Sequence, residues 1–447
     1  MKRMICLLMA VCLLLAGCAG QNPPSSTGQD TEAPGGDTTH QPAASEETTA
    51  QPAVSEVTTA QSAVSEGTTE QAAVSEEPAE DPVSVPEITD EEYEKMKFNG
   101  NGEKLIDALY EKKQDNVVIS NTSINIALSM LLEGANGETQ KQIEDYLGVT
   151  KEEAKELNKK LLALLNSHGE DGLQINVANS VWCGENKEIK EDYIHLLREY
   201  FGAQTEKVDF SDDKTADLIN EWCSDKTKGL IKKIADAGQL KAADLALMLL
   251  NAIYFKGVWE TPYDEVEEGT FNGNPADVLR GSESKYFEND KAIAFAKEYR
   301  GGYEFIGILP KEEGEFTVAD LDIEGLLENM TQHYTVETQI PLFEMEYETG
   351  LESILPQLGI EDVFTADCDL TDIGDELQVG RVTHKTYMKL DEKGTEAAAV
   401  TSIMVTEGAM MKEPEVKEVI LDRPFVFMLY DLRTDTALFT GKIVNLD

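Results

Sequence analysis

The chain has 447 residues, 85 of them acidic and 38 basic, for a net charge of −47. That balance excludes nucleic-acid binding, which needs a basic footprint, and is read mainly as a device for solubility. The portion from about Tyr93 to Asp447 is long enough for one large domain with a substantial core.

In chain order, Lys2 and Arg3 precede an apolar run from Met4 to Leu15, followed by Ala16, Gly17 and Cys18. A charged start, a short apolar stretch and small residues describe an export signal rather than a spanning helix, which needs about 20 apolar residues. Leu15-Ala-Gly-Cys18 resembles a bacterial lipobox. That resemblance implies removal of residues 1–17, a lipid on Cys18, and a protein anchored at the bacterial cell surface with its domain outside. Residues 18–92 then form an acidic tether rich in Ser, Thr, Pro and Ala, with ten-residue repeats starting at Gln41, Gln51, Gln61 and Gln71. So little apolar surface does not offset the entropy of ordering, and disorder is expected. About 75 coil residues reach roughly 50 Å, enough to give the domain access to large partners.

From Tyr93 the signals are mixed. Lys104 to Lys113 and Ser123 to Glu133 read as helices, the second with apolar residues at Ile124, Leu128, Leu131 and Leu132. Thr150 followed by Glu153 fits a capping box that opens a helix towards Leu165. Leu173, Ile175, Val177 and Val181 alternate as in a strand, and Leu245 to Phe255 reads as a strand buried on both faces. Tyr334 to Met345 and Gln378 to Leu390 add extended stretches, and strand formers fill Arg423–Tyr430 and Ala437–Asn445. Helices early and long strands late indicate an α+β domain.

Cys6 and Cys12 leave with the signal and Cys18 takes the lipid, so Cys183, Cys223 and Cys368 remain. They are odd in number and widely scattered, without metal-ligand spacing, so no disulfide framework is indicated. His195 and His333 have no ligand spacing either. Ser120, Ser123, Asn251 and His384 superficially offer the parts of a hydrolase site, but no Gly-x-Ser-x-Gly elbow is present, and a buried hydrogen-bonded cluster is the expectation. No catalytic site, metal or cofactor is predicted.

The most informative stretch is Asp391-Glu-Lys-Gly-Thr-Glu-Ala-Ala-Ala-Val-Thr-Ser-Ile403. As a strand, Thr395 to Val405 would turn Thr395, Ala397, Ala399, Thr401, Ile403 and Val405 to one face, all small or apolar. The only charge, Glu396, falls on the other face with Ala398, Val400, Ser402, Met404 and Thr406. Such a segment suits either an exposed loop or the inside of a sheet. Glu392, Lys393, Gly394, Thr395, Glu396, Ala397, Ala398 and Ala399 resemble, residue by residue, the hinge of inhibitory serpins.

The resemblance extends over nearly all of the domain. Asn116–Ser120 with Ser123–Met130 looks like the serpin shutter, as do Asn251 and His384; Asn251–Trp259 looks like the central strand and its exit; and Asn179–Trp182 resembles the region of the breach tryptophan, Trp182. Asn121 stands where a proline is usual.

By this resemblance the fold is serpin-like: a mixed central sheet, further sheets, a helical N-terminal portion and an exposed reactive loop near the C-terminus. The implied function is suicide inhibition of serine proteases, with cysteine proteases as a second class of target. The family's usual spacing from Glu392 puts the reactive bond between Gly408 and Ala409, with Met410 and Met411 as alternatives in a longer loop. These residues suit elastase-like and subtilisin-like pockets; Lys412, which would suit a trypsin-like one, is far from the hinge. The protein is expected to be a monomer that meets the membrane only through its lipid. A non-inhibitory serpin, acting as carrier or structural protein, is the alternative, and an unrelated solute-binding lipoprotein is a more distant one.

Overall fold

The computed structural model describes residues 9–17, 89, 92, 95, 101–166, 173–185, 187–242, 245–395 and 415–446. Cys18, most of the tether, and the loop from Glu396 through Gly408, Ala409, Met410 and Met411 lie outside the described residues.

The early helices form as the residue patterns require. α1 (Gly102–Lys113) is followed by a short strand, β2 (Val117–Ile119), and by α2 (Asn121–Leu132). Every residue of α2 after Asn121 is buried, as expected of a helix that is apolar nearly all round. Ser120 caps it, its side chain accepting from the Ser123 N–H. α3 (Gly137–Leu147) precedes α4 (Lys151–Leu165), whose Thr150–Glu153 capping box is made in both directions. α5 (Glu191–Phe201) and α6 (Asp213–Lys226) complete the larger helices.

Three sheets follow. The central one runs β13 (Phe343–Gly350), β14 (Leu377–Leu390), β1 (Met9–Gly17), β5 (Leu245–Val258), β3 (Gln174–Gly184) and β4 (Gln204–Val208). The second runs β11 (Met330–Thr331), β8 (Lys285–Glu288), β9 (Ala292–Tyr299), β10 (Tyr303–Pro310), β17 (Phe425–Asp431), β18 (Thr436–Ile443) and β2. The third contains β16 (Glu415–Ile420), β12 (Tyr334–Pro341), β7 (Asn274–Glu283) and β6 (Glu267–Phe271). Except at Lys256, β5 is buried throughout, because helices and sheet cover both its faces. The extended stretch read from Tyr334 to Met345 divides at Leu342 into β12 and β13, which belong to different sheets.

β5 and β14 are not paired with each other. Between them lies β1, antiparallel to both, with Val11 opposite Asn251 on one side and His384 on the other. This strand comes from the segment that the sequence assigns to an export signal. The central sheet thus has a position one strand wide between β5 and β14. The thiols of Cys183 and Cys223 are free and buried.

Candidate functional site: hinge and shutter

At the end of β14 the chain makes a four-residue turn. The Asp391 N–H donates to the Gly394 carbonyl at 2.9 Å, and the Asp391 carboxylate accepts from the N–H groups of Lys393 and Gly394 at 2.9 and 3.2 Å. Gly394 has φ of 144°, and a Cβ there would lie 2.1 Å from the Gly257 carbonyl oxygen, so only glycine fits. Glu392 and Lys393 form a half-buried ion pair at 2.7 Å between sequence neighbours, which adds little stability.

The turn is held from outside. The Trp259 N–H donates to the Lys393 carbonyl at 3.0 Å, the Tyr263 N–H to the Glu392 carbonyl at 2.9 Å, and the Trp259 indole N–H to the Asp391 carbonyl at 3.0 Å. Tyr299 stacks on Trp259 with ring centroids 4.0 Å apart. Beyond the turn, Gly394 and Thr395 form β15 (Gly394–Thr395), which pairs antiparallel with Val258 and Gly257 of β5. Thr395 is buried, its hydroxyl hydrogen-bonded to that of Tyr299 at 2.9 Å. The inward face expected for Thr395 is therefore the one it takes.

The tryptophan beside the hinge is Trp259, not Trp182. Trp182 pairs with Met248, nine residues along β5 from Gly257 or roughly 30 Å at strand rise, and packs edge-on against Trp222. The sequence offered two tryptophans after strand-like runs and nothing in the residue types to say which strand ends at the hinge. Tyr263 and Tyr299 were also not legible, because they reach the hinge from other elements.

Lower in the sheet, Ser120, Ser123, Asn251 and His384 meet, all fully buried. The Ser120 N–H donates to His384 Nε2 at 3.3 Å, the Ser123 hydroxyl donates to Asn251 Oδ1, and Asn251 Nδ2 donates to Asn179 Oδ1 at 2.8 Å. Asn179 in turn donates to the Phe201 carbonyl at 2.7 Å, so it joins this network rather than the hinge. His384 Nδ1 has no partner among the described residues, and burial pushes the imidazole down to about 3. The histidine receives a backbone N–H, not a serine hydroxyl, so the nucleophile–base contact of a hydrolase is not made. The cluster instead joins α2 to both strands that flank the one-strand position. A cavity of about 1310 Å³ lined by Glu103, Asn125, Phe287, Tyr303 and Thr440 includes no residue of the hinge turn and none of Ser120, Ser123, Asn251 and His384.

Comparison with known proteins agrees with this geometry. A family model described as "Serpin (serine protease inhibitor)" matches residues 96–446. An uncharacterized serpin-like protein of Methanosarcina acetivorans is 31% identical over 360 residues, covering 75% of this chain and 83% of its own. Iripin-2 of Ixodes ricinus is 31% identical over 381 residues, covering 78% and 92% respectively. Among solved structures, the thermophilic serpin tengpin in its native state matches with a TM-score of 0.71 at 30% identity, covering 82% of this chain and 97% of tengpin.

Proposed function

The chain belongs to the serpin family, and from that premise we propose that it is a suicide-substrate inhibitor of serine endopeptidases. The observation that carries this reading is the hinge: Gly394 and Thr395 are already paired with β5, at the mouth of a strand-wide position between β5 and β14. Each further loop residue would step one residue back along β5, so Ala399 would fall opposite Ile253 and Thr401 opposite Asn251. These are the positions that Met9 and Val11 take in β1. The position therefore accepts a strand running in the loop's direction.

In the proposed reaction the protease serine attacks the carbonyl of Gly408, the amine of Ala409 departs, and the loop remains as an ester on the enzyme. Freed at one end, Thr395 onward zips between β5 and β14 and drags the enzyme with it. Insertion competes with hydrolysis of the ester, so the yield of trapped enzyme depends on how fast the strand forms. Small side chains at 395, 397 and 399 favour insertion, because a charge there would be buried. Gly408 and the methionines after it favour elastase-like or subtilisin-like targets, with cysteine proteases as a second class. The export signal and Cys18 indicate a lipid-anchored protein at the cell surface, and removal of residues 1–17 would vacate the β1 position.

The test is to incubate the domain from Tyr93 onward with elastase-, subtilisin- and trypsin-like enzymes and resolve the products on denaturing gels. A band at the summed mass is expected for the parent. Thr395→Arg is expected to be cut without forming it, losing at least about tenfold in trapped enzyme, since an unpaired charge would enter the site that Thr395 fills. Clean cleavage of the parent without a covalent band across a wide panel refutes inhibition and favours a non-inhibitory serpin.

A further inference from the structure

Lys297 lies on β9 with 4% of its surface exposed. Its Nζ donates to Glu283 Oε1 of β7 at 2.8 Å, and it stands 4.2 Å from the Tyr263 ring centroid and 5.6 Å from that of Trp259. Those rings meet edge to face at 6.2 Å. Tyr263 and Trp259 are also the residues whose backbone N–H groups hold the Glu392 and Lys393 carbonyls. One buried ion pair thus ties the second sheet to the third directly behind the hinge clamp.

Such a pair is a poor device for stability alone. Desolvation offsets its attraction, and an apolar pair of similar volume is often as stable or more so. Burial also pushes the Glu283 carboxyl above its usual range, with Lys297 opposing that shift. What the pair does supply is direction: a cation fixed by its carboxylate holds two aromatic faces at set distances.

We propose that Lys297 and Glu283 position the hinge clamp. By fixing the Tyr263 and Trp259 rings they keep two N–H groups aimed at the Asp391–Gly394 turn, so that insertion starts from an already formed strand nucleus. The consequence for inhibition rests on the insertion reading above; the positioning itself does not.

The experiment uses the full chain, expressed and exported, as parent, as Lys297→Met with Glu283→Gln, and as Lys297→Arg. Hydrogen exchange at the Trp259 and Tyr263 amides is expected to rise about tenfold in the double variant, with β17 amides unchanged and Lys297→Arg retaining the parent's protection. Unchanged protection at Trp259 and Tyr263 overturns the proposal, and so does an equal loss at β17, which would make the pair a general stabiliser. With pancreatic elastase or subtilisin, whichever traps the parent, the moles of inhibitor consumed per mole of enzyme trapped are expected to rise about threefold or more in the double variant. Lost protection with unchanged stoichiometry overturns the link to inhibition. A parent that traps neither enzyme counts against the proposed function, while the exchange result still decides the positioning.

Discussion

His384 and Glu133 show how single buried groups set the response to pH. Burial holds the His384 imidazole at about 3, against an ordinary value of 6.5. The unfolded chain therefore takes up a proton first as pH falls, and stability drops from pH 6.5 towards 3, by about 1.4 kcal/mol per unit. Glu133 has the opposite sign. Burial raises its carboxyl to about 7, so the folded chain holds the proton longer and stability drops as pH rises from 4.5 to 7. Between pH 4.5 and 6.5 the two slopes largely cancel, and below 4.5 only the histidine of the two still contributes a slope. Chemical denaturation of the parent and of His384→Asn at several pH values is expected to give a difference curve that falls steadily from pH 6.5 to 3. A flat difference curve would mean that His384 is protonated or exposed in the folded state. The serines, asparagine and histidine of this cluster were legible in the sequence by resemblance, but Asn179 was grouped with Trp182 in the breach region rather than with this network.

At the scale of elements, the hinge turn and β5 form one device. Gly394 has a backbone conformation open only to glycine, and any side chain would meet the Gly257 carbonyl. Gly394→Ala is expected to open the turn, lower stability by about 1–3 kcal/mol, and shift protease products from covalent complex to cleaved inhibitor. A thermal melt beside a denaturing gel checks both effects, and a variant that melts and traps like the parent would show that the turn is dispensable. The local elements were largely legible. A continuous apolar run specified the buried β5, and Thr150 with Glu153 specified the start of α4. The division of Tyr334–Met345 at Leu342 was not, because both halves have strand-forming residues and only the packing of separate sheets breaks them apart.

For the whole molecule, the proposed mechanism rests on the central sheet. Its middle position, between β5 and β14, accepts a strand from elsewhere in the chain, here β1. A domain starting at Tyr93 lacks that strand, so cutting its loop is expected to let the loop fill the position. The melting temperature should then rise by roughly 10 °C or more, which for a domain of this size corresponds to about 7 kcal/mol. Calorimetry before and after limited cleavage checks it. An unchanged or lower melting temperature would mean that the intact fold stores no such driving force.

The sequence by itself determined what local chemistry and order along the chain can carry: the α+β class, the caps, the buried strand, the small-residue hinge with glycine at its turn, and the likeness to serpins. Only the tertiary structure decided which side chains converge on that hinge. Trp259, Tyr263, Tyr299, Lys297 and Glu283 come from β7, β9 and the segment after β5, and their positions depend on how separate sheets stack. Hydrophobic periodicity selects the face a residue buries, but not its neighbour across a sheet interface.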